Sequence, residues 1–140
     1  MAQSNSPSGY FAMTLVGNLG ADPEMRYTQA GTAVTNFRLA VNQRVPAGGG
    51  EWESAAQWFK ITVWGKQAEA CNAYLHSGSK VLVEAERFNF DKATGAPELF
   101  QRSDGTNGAN YEVTARTVRF LDPSPRGQAQ PEAEEEIVFE

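Results

Sequence analysis

The segment Gln57-Trp58-Phe59-Lys60-Ile61-Thr62-Val63-Trp64 separates by parity into two unlike sets. Side chains alternate sides along a strand, so Phe59, Ile61 and Val63 form one face and Trp58, Lys60, Thr62 and Trp64 the other. The first face is core. A face carrying lysine and threonine is not the inside of a barrel, so two indole rings lie on the solvent side with an ammonium group between them. The pattern therefore predicts a sheet with one buried face and one face free to meet a partner.

The same period recurs along the chain. From Tyr10 to Leu19 the odd positions Phe11, Met13, Leu15 and Leu19 are apolar, with Gly17 and Gly20 placed for a bulge or sharp bend. Ala21 to Glu24 reads as a turn, and Gln29 to Gly31 as another. Thr32 to Arg44 alternates again, with Thr35, Phe37, Leu39 and Val41 inward and Asn36, Arg38, Ala40, Asn42 and Arg44 outward. Pro46 to Gly50 predicts a mobile loop. Lys66 to Ser77 predicts a short helix with Ala68, Cys71 and Leu75 on one stripe and Gly78 placed to end it. A fourth strand runs from Lys80 to about Phe90. Asp91 to Asn110 reads as a long hairpin connection, rich in turn residues, with turn signals at Ser103-Asp104-Gly105 and Thr106-Asn107-Gly108. The last strand, Tyr111 to Leu121, slips phase between Val113/Ala115 and Val118/Phe120, which predicts a bulge.

Strand, strand, strand, helix, strand, strand is the order of an all-β, five-stranded Greek-key OB-fold barrel with one short helix between strands 3 and 4. The implied organisation is a flexible N-terminal arm over residues 1–9, the barrel over 10–122, and a disordered acidic C-terminal tail over 123–140.

Charge supports that division. The net charge is −5, which at first opposes binding of a polyanion. Yet residues 1–123 hold 11 Lys/Arg against 12 Asp/Glu, while residues 124–140 set Arg126 against Glu132, Glu134, Glu135, Glu136 and Glu140. The acidity lies mainly in the tail, and the placing of the body's charges matters more than their sum.

Several classes of chemistry have no residues to support them. With one cysteine, Cys71, there is no intrachain disulfide and no cysteine zinc cluster, and with one histidine, His76, a His-based metal site is not expected. Cys71 lies on the helix's apolar stripe, where a buried, inert thiol is the default. Asp22 and Glu24 occupy a turn, where capping or solvation is the ordinary role. No glycine-rich phosphate loop or nucleophile elbow occurs. No cofactor and no enzymatic activity are expected. The polar N-terminus carries no signal-peptide pattern, no apolar run approaches a membrane span, and a cytoplasmic setting is expected.

What the outward face does offer is stacking. Flat rings beside cations suit unpaired nucleobases, whose π faces a duplex hides, and stacking tolerates any base. Trp58, Trp64 and Lys60 lead the candidates. Arg38 and Arg44 join from the second strand, Lys80, Phe88 and Phe90 from the fourth, and Lys66 from the helix start. Trp52, on a glycine-hinged loop, is placed to fold over a bound strand or to tuck against the barrel. Exposed tryptophans also suit a protein interface, and the same face suits RNA, so a structural subunit and an OB-fold RNA-binding or translation-related module are the rival readings.

The block Leu15-Val16-Gly17-Asn18-Leu19-Gly20-Ala21-Asp22-Pro23-Glu24-Met25-Arg26-Tyr27 resembles the opening strand and turn of the bacterial-type single-stranded DNA-binding protein family. Further likenesses follow at Gly31 to Ala40, Trp58-Phe59-Lys60, Trp64 to Glu69, Tyr74-Leu75, Gly78-Ser79 and Tyr111-Glu112-Val113. The resemblance implies an OB fold, sequence-tolerant binding of single-stranded DNA in replication, recombination and repair, and a homotetramer. It implies stacking roles for Trp58 and Trp64, basic contacts at Lys60 and Lys66, and a matched arginine at Arg26. Phe88 and Phe90 are both candidates for the aromatic that follows the family's fourth strand. The tail, with Glu134, Glu135 and Glu136 before Ile137, Val138 and Phe139, resembles the family's partner-recruiting end. Val138 stands where proline is usual there, and Glu140 follows the phenylalanine.

Overall fold

In β1 (Met13–Leu19) the odd residues Leu15, Gly17 and Leu19 are buried and their even neighbours are exposed. The computed structural model describes residues 9–122. After β1 come a short β2 (Glu24–Tyr27), long β3 (Ala33–Gly48) and β4 (Glu51–Trp64), helix α1 (Lys66–Tyr74), β5 (Lys80–Phe88), short β6 (Leu99–Gln101) and β7 (Asn107–Ala109), and β8 (Glu112–Phe120). The main sheet runs β1-β5-β8-β4-β3-β2, and β1 also pairs with β3, which closes five strands into a barrel. Neighbours are antiparallel except β4 and β8, which run parallel. This is the expected Greek-key OB barrel with its single helix.

The interior is the inward set of every barrel strand. Leu15, Phe37, Leu39, Phe59, Ile61, Val63, Val81, Val83, Val113 and Val118 form one cluster, and α1 adds Ala68, Cys71 and Leu75 to it. The Thr35 hydroxyl, fully buried, donates to the Ala68 carbonyl at 2.7 Å and ties α1 to β3. Closure brings β1 hard against β3. A Cβ at Gly17 would collide with the Ala40 carbonyl, which explains the glycine in that strand.

The expected bulge in the last strand is present, and Arg116 is its extra residue. Glu84 pairs with Thr117 and Ala85 with Ala115, so Arg116 has no opposite number. A bulge strands ladder groups, and here the Gln67 side chain at the start of α1 collects them. Its Nε2 donates to the Arg116 carbonyl at 2.8 Å and its Oε1 accepts from the Val118 N–H at 2.8 Å.

Other boundaries differ from the expectation. Pro46 to Gly50 is not a loop. β3 and β4 continue as one hairpin to Gly48 and Glu51, leaving only Gly49-Gly50 as the turn, with positive φ at both. Proline fits because its register falls at a bulge between Pro46 and Gly48. The helix stops at Tyr74 rather than Ser77, because Leu75 turns extended with ψ 152°. His76 to Ser79 then form a separate turn, with the Ser79 Oγ accepting from the His76 N–H and Gly78 at φ 92°. The fourth barrel strand ends at Phe88. The 91–110 connection contains the β6–β7 hairpin, whose turn is Ser103-Asp104-Gly105, while Asn107 and Gly108 belong to β7.

Candidate nucleic-acid interface

β4 carries three tryptophans of one parity, Trp52, Trp58 and Trp64, each six residues from the next. At strand rise that places neighbouring rings about 20 Å apart along one face. All three are open to solvent, at 56%, 41% and 46% exposure. Trp52 is therefore part of this row and not a ring on a loop.

β3 supplies the cations. Across the ladder Ala40 faces Trp58, Arg38 faces Lys60, and Arg44 faces Ser54. Arg38 and Arg44 each lean diagonally onto the tryptophan two residues before their partner. Their guanidinium carbons lie 4.6 Å from the Trp58 ring centre and 4.8 Å from that of Trp52. The repeat has a simple origin, since diagonal neighbours on one sheet face are within reach of long side chains. Arg38 and Lys60 are like charges directly opposite, an arrangement that costs stability in a bare sheet. An anion seated between them reverses that sign.

The Trp58 ring also packs on Gly20, where a Cβ would lie 2.6 Å from the ring. Gly20 thereby supports one edge of the indole while Arg38 covers a face. Between Trp58 and Trp64 the row is polar, with Lys60 exposed and Thr62 covered. Thr62, expected on the solvent side, does point outward but is only 7% exposed. Its hydroxyl lies 2.9 Å from the Asn36 Oδ1 and 3.2 Å from the Glu112 Oε2, acceptors brought from β3 and β8.

The remaining candidates divide by position. Arg26 on β2 faces Val34, which in turn faces Trp64, so these three share one row across the sheet. Lys66 opens α1 two residues after Trp64 and is exposed. Lys80 lies farther round the barrel, at the start of β5, where it faces Asn18; Asn18 faces Ala40, next to Trp58. Phe88 is half-buried against the core and meets Tyr111 edge-on at 6.4 Å. Phe90 is exposed and lines a cleft of about 360 Å³ with Arg87 and Lys92. The acidic stretch Glu134 to Phe139 lies outside the described residues.

Sequence reasoning missed Phe100, Asn110 and Tyr111. They stand beside the face, with Tyr111 tied to β4 by its carbonyl, which accepts from the Lys60 N–H at 2.9 Å. The signal was the apolar pair Leu99-Phe100 inside a turn-rich stretch. Among the described residues no three His, Cys, Asp or Glu side chains are placed to hold a metal.

A closed five-stranded Greek-key barrel with an open, ring-bearing sheet face is an OB-fold domain, a class whose face over the second and third barrel strands takes oligonucleotides and oligosaccharides. Comparison with known proteins narrows this. Residues 10–121 match the single-strand binding protein family, and the chain belongs to that family. It is 39% identical over 115 residues to single-stranded DNA-binding protein B of Bacillus subtilis (strain 168), covering 82% of this chain and 93% of that protein. It is 34% identical over 123 residues to the single-stranded DNA-binding protein of Thermotoga maritima, covering 88% and 81%. With the Xanthomonas axonopodis pv. citri protein of the same name it shares 34% over 113 residues, spanning 58% of that longer relative.

Proposed function

We propose that this chain binds single-stranded DNA, with little regard to sequence and without catalysis. The observation that carries the reading is the row of three exposed tryptophans on one face of β4, interleaved with Arg38, Arg44 and Lys60. Each ring stacks a base, contributing about 1–3 kcal/mol per base. The cations meet phosphates, and releasing the polymer's counterions makes binding weaken with salt. A duplex offers neither exposed π faces nor a flexible backbone, so the face selects single strands. The names of the relatives support DNA as the polymer.

The finer reading follows from the family resemblance. The chain acts in replication, recombination and repair, in the cytoplasm, as a homotetramer with one barrel per subunit. Residues 123–140 recruit partner proteins, with Ile137 and Phe139 filling a pocket and Glu134 to Glu136 meeting a basic rim.

Titration with thymine oligomers of graded length, read by tryptophan fluorescence, tests the proposal. Strong quenching that salt reverses is the expected result. Unchanged fluorescence would instead assign the tryptophan face to a protein contact. Tighter binding of a matched RNA oligomer would move the chain to the RNA-binding class.

A further inference from the structure

The barrel face does not end at its own strands. The β6–β7 hairpin stands beside it, and between them lies a cleft of about 290 Å³. Arg38, Trp58 and Lys60 line it from the barrel, and Phe100, Asn110 and Tyr111 from the hairpin and the chain leaving it. Its volume is at the lower end of the roughly 300–1,000 Å³ of small-ligand sites. That is room for one flat ring with its sugar.

The hairpin wall is built for a fixed ring. Phe100 sits opposite Gly108 in the ladder. A Cβ at position 108 would lie 2.6 Å from the Phe100 Cζ and 2.7 Å from an Arg102 guanidinium nitrogen. Only a bare backbone lets both side chains lie across that strand. Arg102 is itself pinned, its Nη1 donating to the Asn107 carbonyl at 2.6 Å, and its guanidinium carbon lies 5.5 Å from the Phe100 ring centre. Phe100 is nevertheless 41% exposed. An apolar ring held in place yet left half open, facing a second ring across a cleft that also holds two cations, is a stacking surface without its guest.

The geometry points to this cleft as a subsite for a single nucleotide of the bound strand. Its base lies among Phe100, Tyr111 and Trp58, its phosphate meets Arg38 and Lys60, and the Asn110 amide is available to the base edge. Gly108 is the positioning residue for Phe100. The assignment rests on the single-stranded DNA reading above and adds to it a second wall, contributed by the β6–β7 hairpin.

Photo-crosslinking of the full chain to a thymine oligomer carrying one 5-iododeoxyuridine, followed by peptide mass spectrometry, tests it. Adducts on Phe100 or Tyr111 are expected besides those on the tryptophans. Phe100→Ala should weaken oligomer binding at least about fivefold while tryptophan quenching at saturation persists. Gly108→Ala, which must push the ring aside, should lower the adduct yield at Phe100, and Phe100→Trp should restore affinity. Adducts confined to Trp52, Trp58 and Trp64, with Phe100→Ala binding like the parent chain, would overturn the subsite and leave the proposed function standing. Absence of any oligomer binding by the parent chain would bring down both.

Discussion

Trp58 and Trp64 share a strand and a face, but their surroundings differ. Trp58 rests on Gly20 beneath Arg38, while Trp64 follows Thr62 and faces the buried Val34. Neither ring belongs to the barrel core. Trp58→Ala and Trp64→Ala should each weaken thymine-oligomer binding by about 1–3 kcal/mol. The thermal midpoint should move by only a few degrees; unaltered affinity in both variants removes stacking from the account. Parity alone placed these rings outside, because the strand period is rigid. Parity was right about the side of Thr62 but not about its exposure, since the groups that cover it, Asn36 and Glu112, come from other strands and leave no mark in its local sequence. Cys71 was legible from its helical stripe, and its environment makes a sharper statement possible. Burial pushes its thiol up to about 12, whereas an unfolded cysteine titrates near about 8.5. The folded state holds the proton more tightly, so this contribution to stability is intact below about pH 8.5 and declines as pH rises toward 12. A disulfide reagent at pH 8 should leave the native chain unmodified and label one thiol after unfolding. Rapid labelling of the native chain would show that the helix face opens readily.

Two elements show what a strand's own residues can and cannot reveal. The bulge in β8 was legible because the apolar phase itself slips between Ala115 and Val118. Its repair was not legible, because Gln67 lies some fifty residues away and reads as an ordinary polar residue at a helix start. The structure makes Gln67 the group that satisfies both the Arg116 carbonyl and the Val118 N–H. Gln67→Ala removes two hydrogen bonds that water replaces only in part. The expected loss is about 1–3 kcal/mol of folding stability, measured by urea denaturation with an unchanged slope. A variant as stable as the parent would mean that solvent reaches both groups at no cost. The long β3–β4 hairpin was misjudged for a related reason. Pro46 and Gly48 to Gly50 are breakers in a central strand, but beyond Ala40 the only ladder partner of β3 among the described residues is β4, so proline costs no bond on its open side. The turn of the β6–β7 hairpin was legible in Ser103-Asp104-Gly105, but its strands were not, because strands of three residues show no period.

For the whole molecule, charge placement decides more than total charge. The chain carries −5, yet up to residue 123 the balance is only one negative charge, and the outward face gathers Arg38, Arg44 and Lys60. Residues 124–140 hold five glutamates against one arginine. They are tethered to the same chain, so competition with DNA for the cationic face, as a polyanion at fixed local concentration, is the expected outcome. Two consequences separate this from a passive solubilising role. Deleting residues 124–140 should strengthen binding at low salt by about 1 kcal/mol, the scale of one unit-charge contact in water. The gain should fade as salt rises, because the screening length shrinks from about 30 Å at 0.01 M to about 10 Å at 0.1 M. Parallel titrations of the full chain and the shortened chain over that salt range provide the measurement. Converging affinities at high salt place the competition in Coulomb forces; an advantage that persists there would require an apolar contact, with Ile137 and Phe139 the residues to substitute next. Equal affinities throughout would show that the acidic stretch never occupies the face.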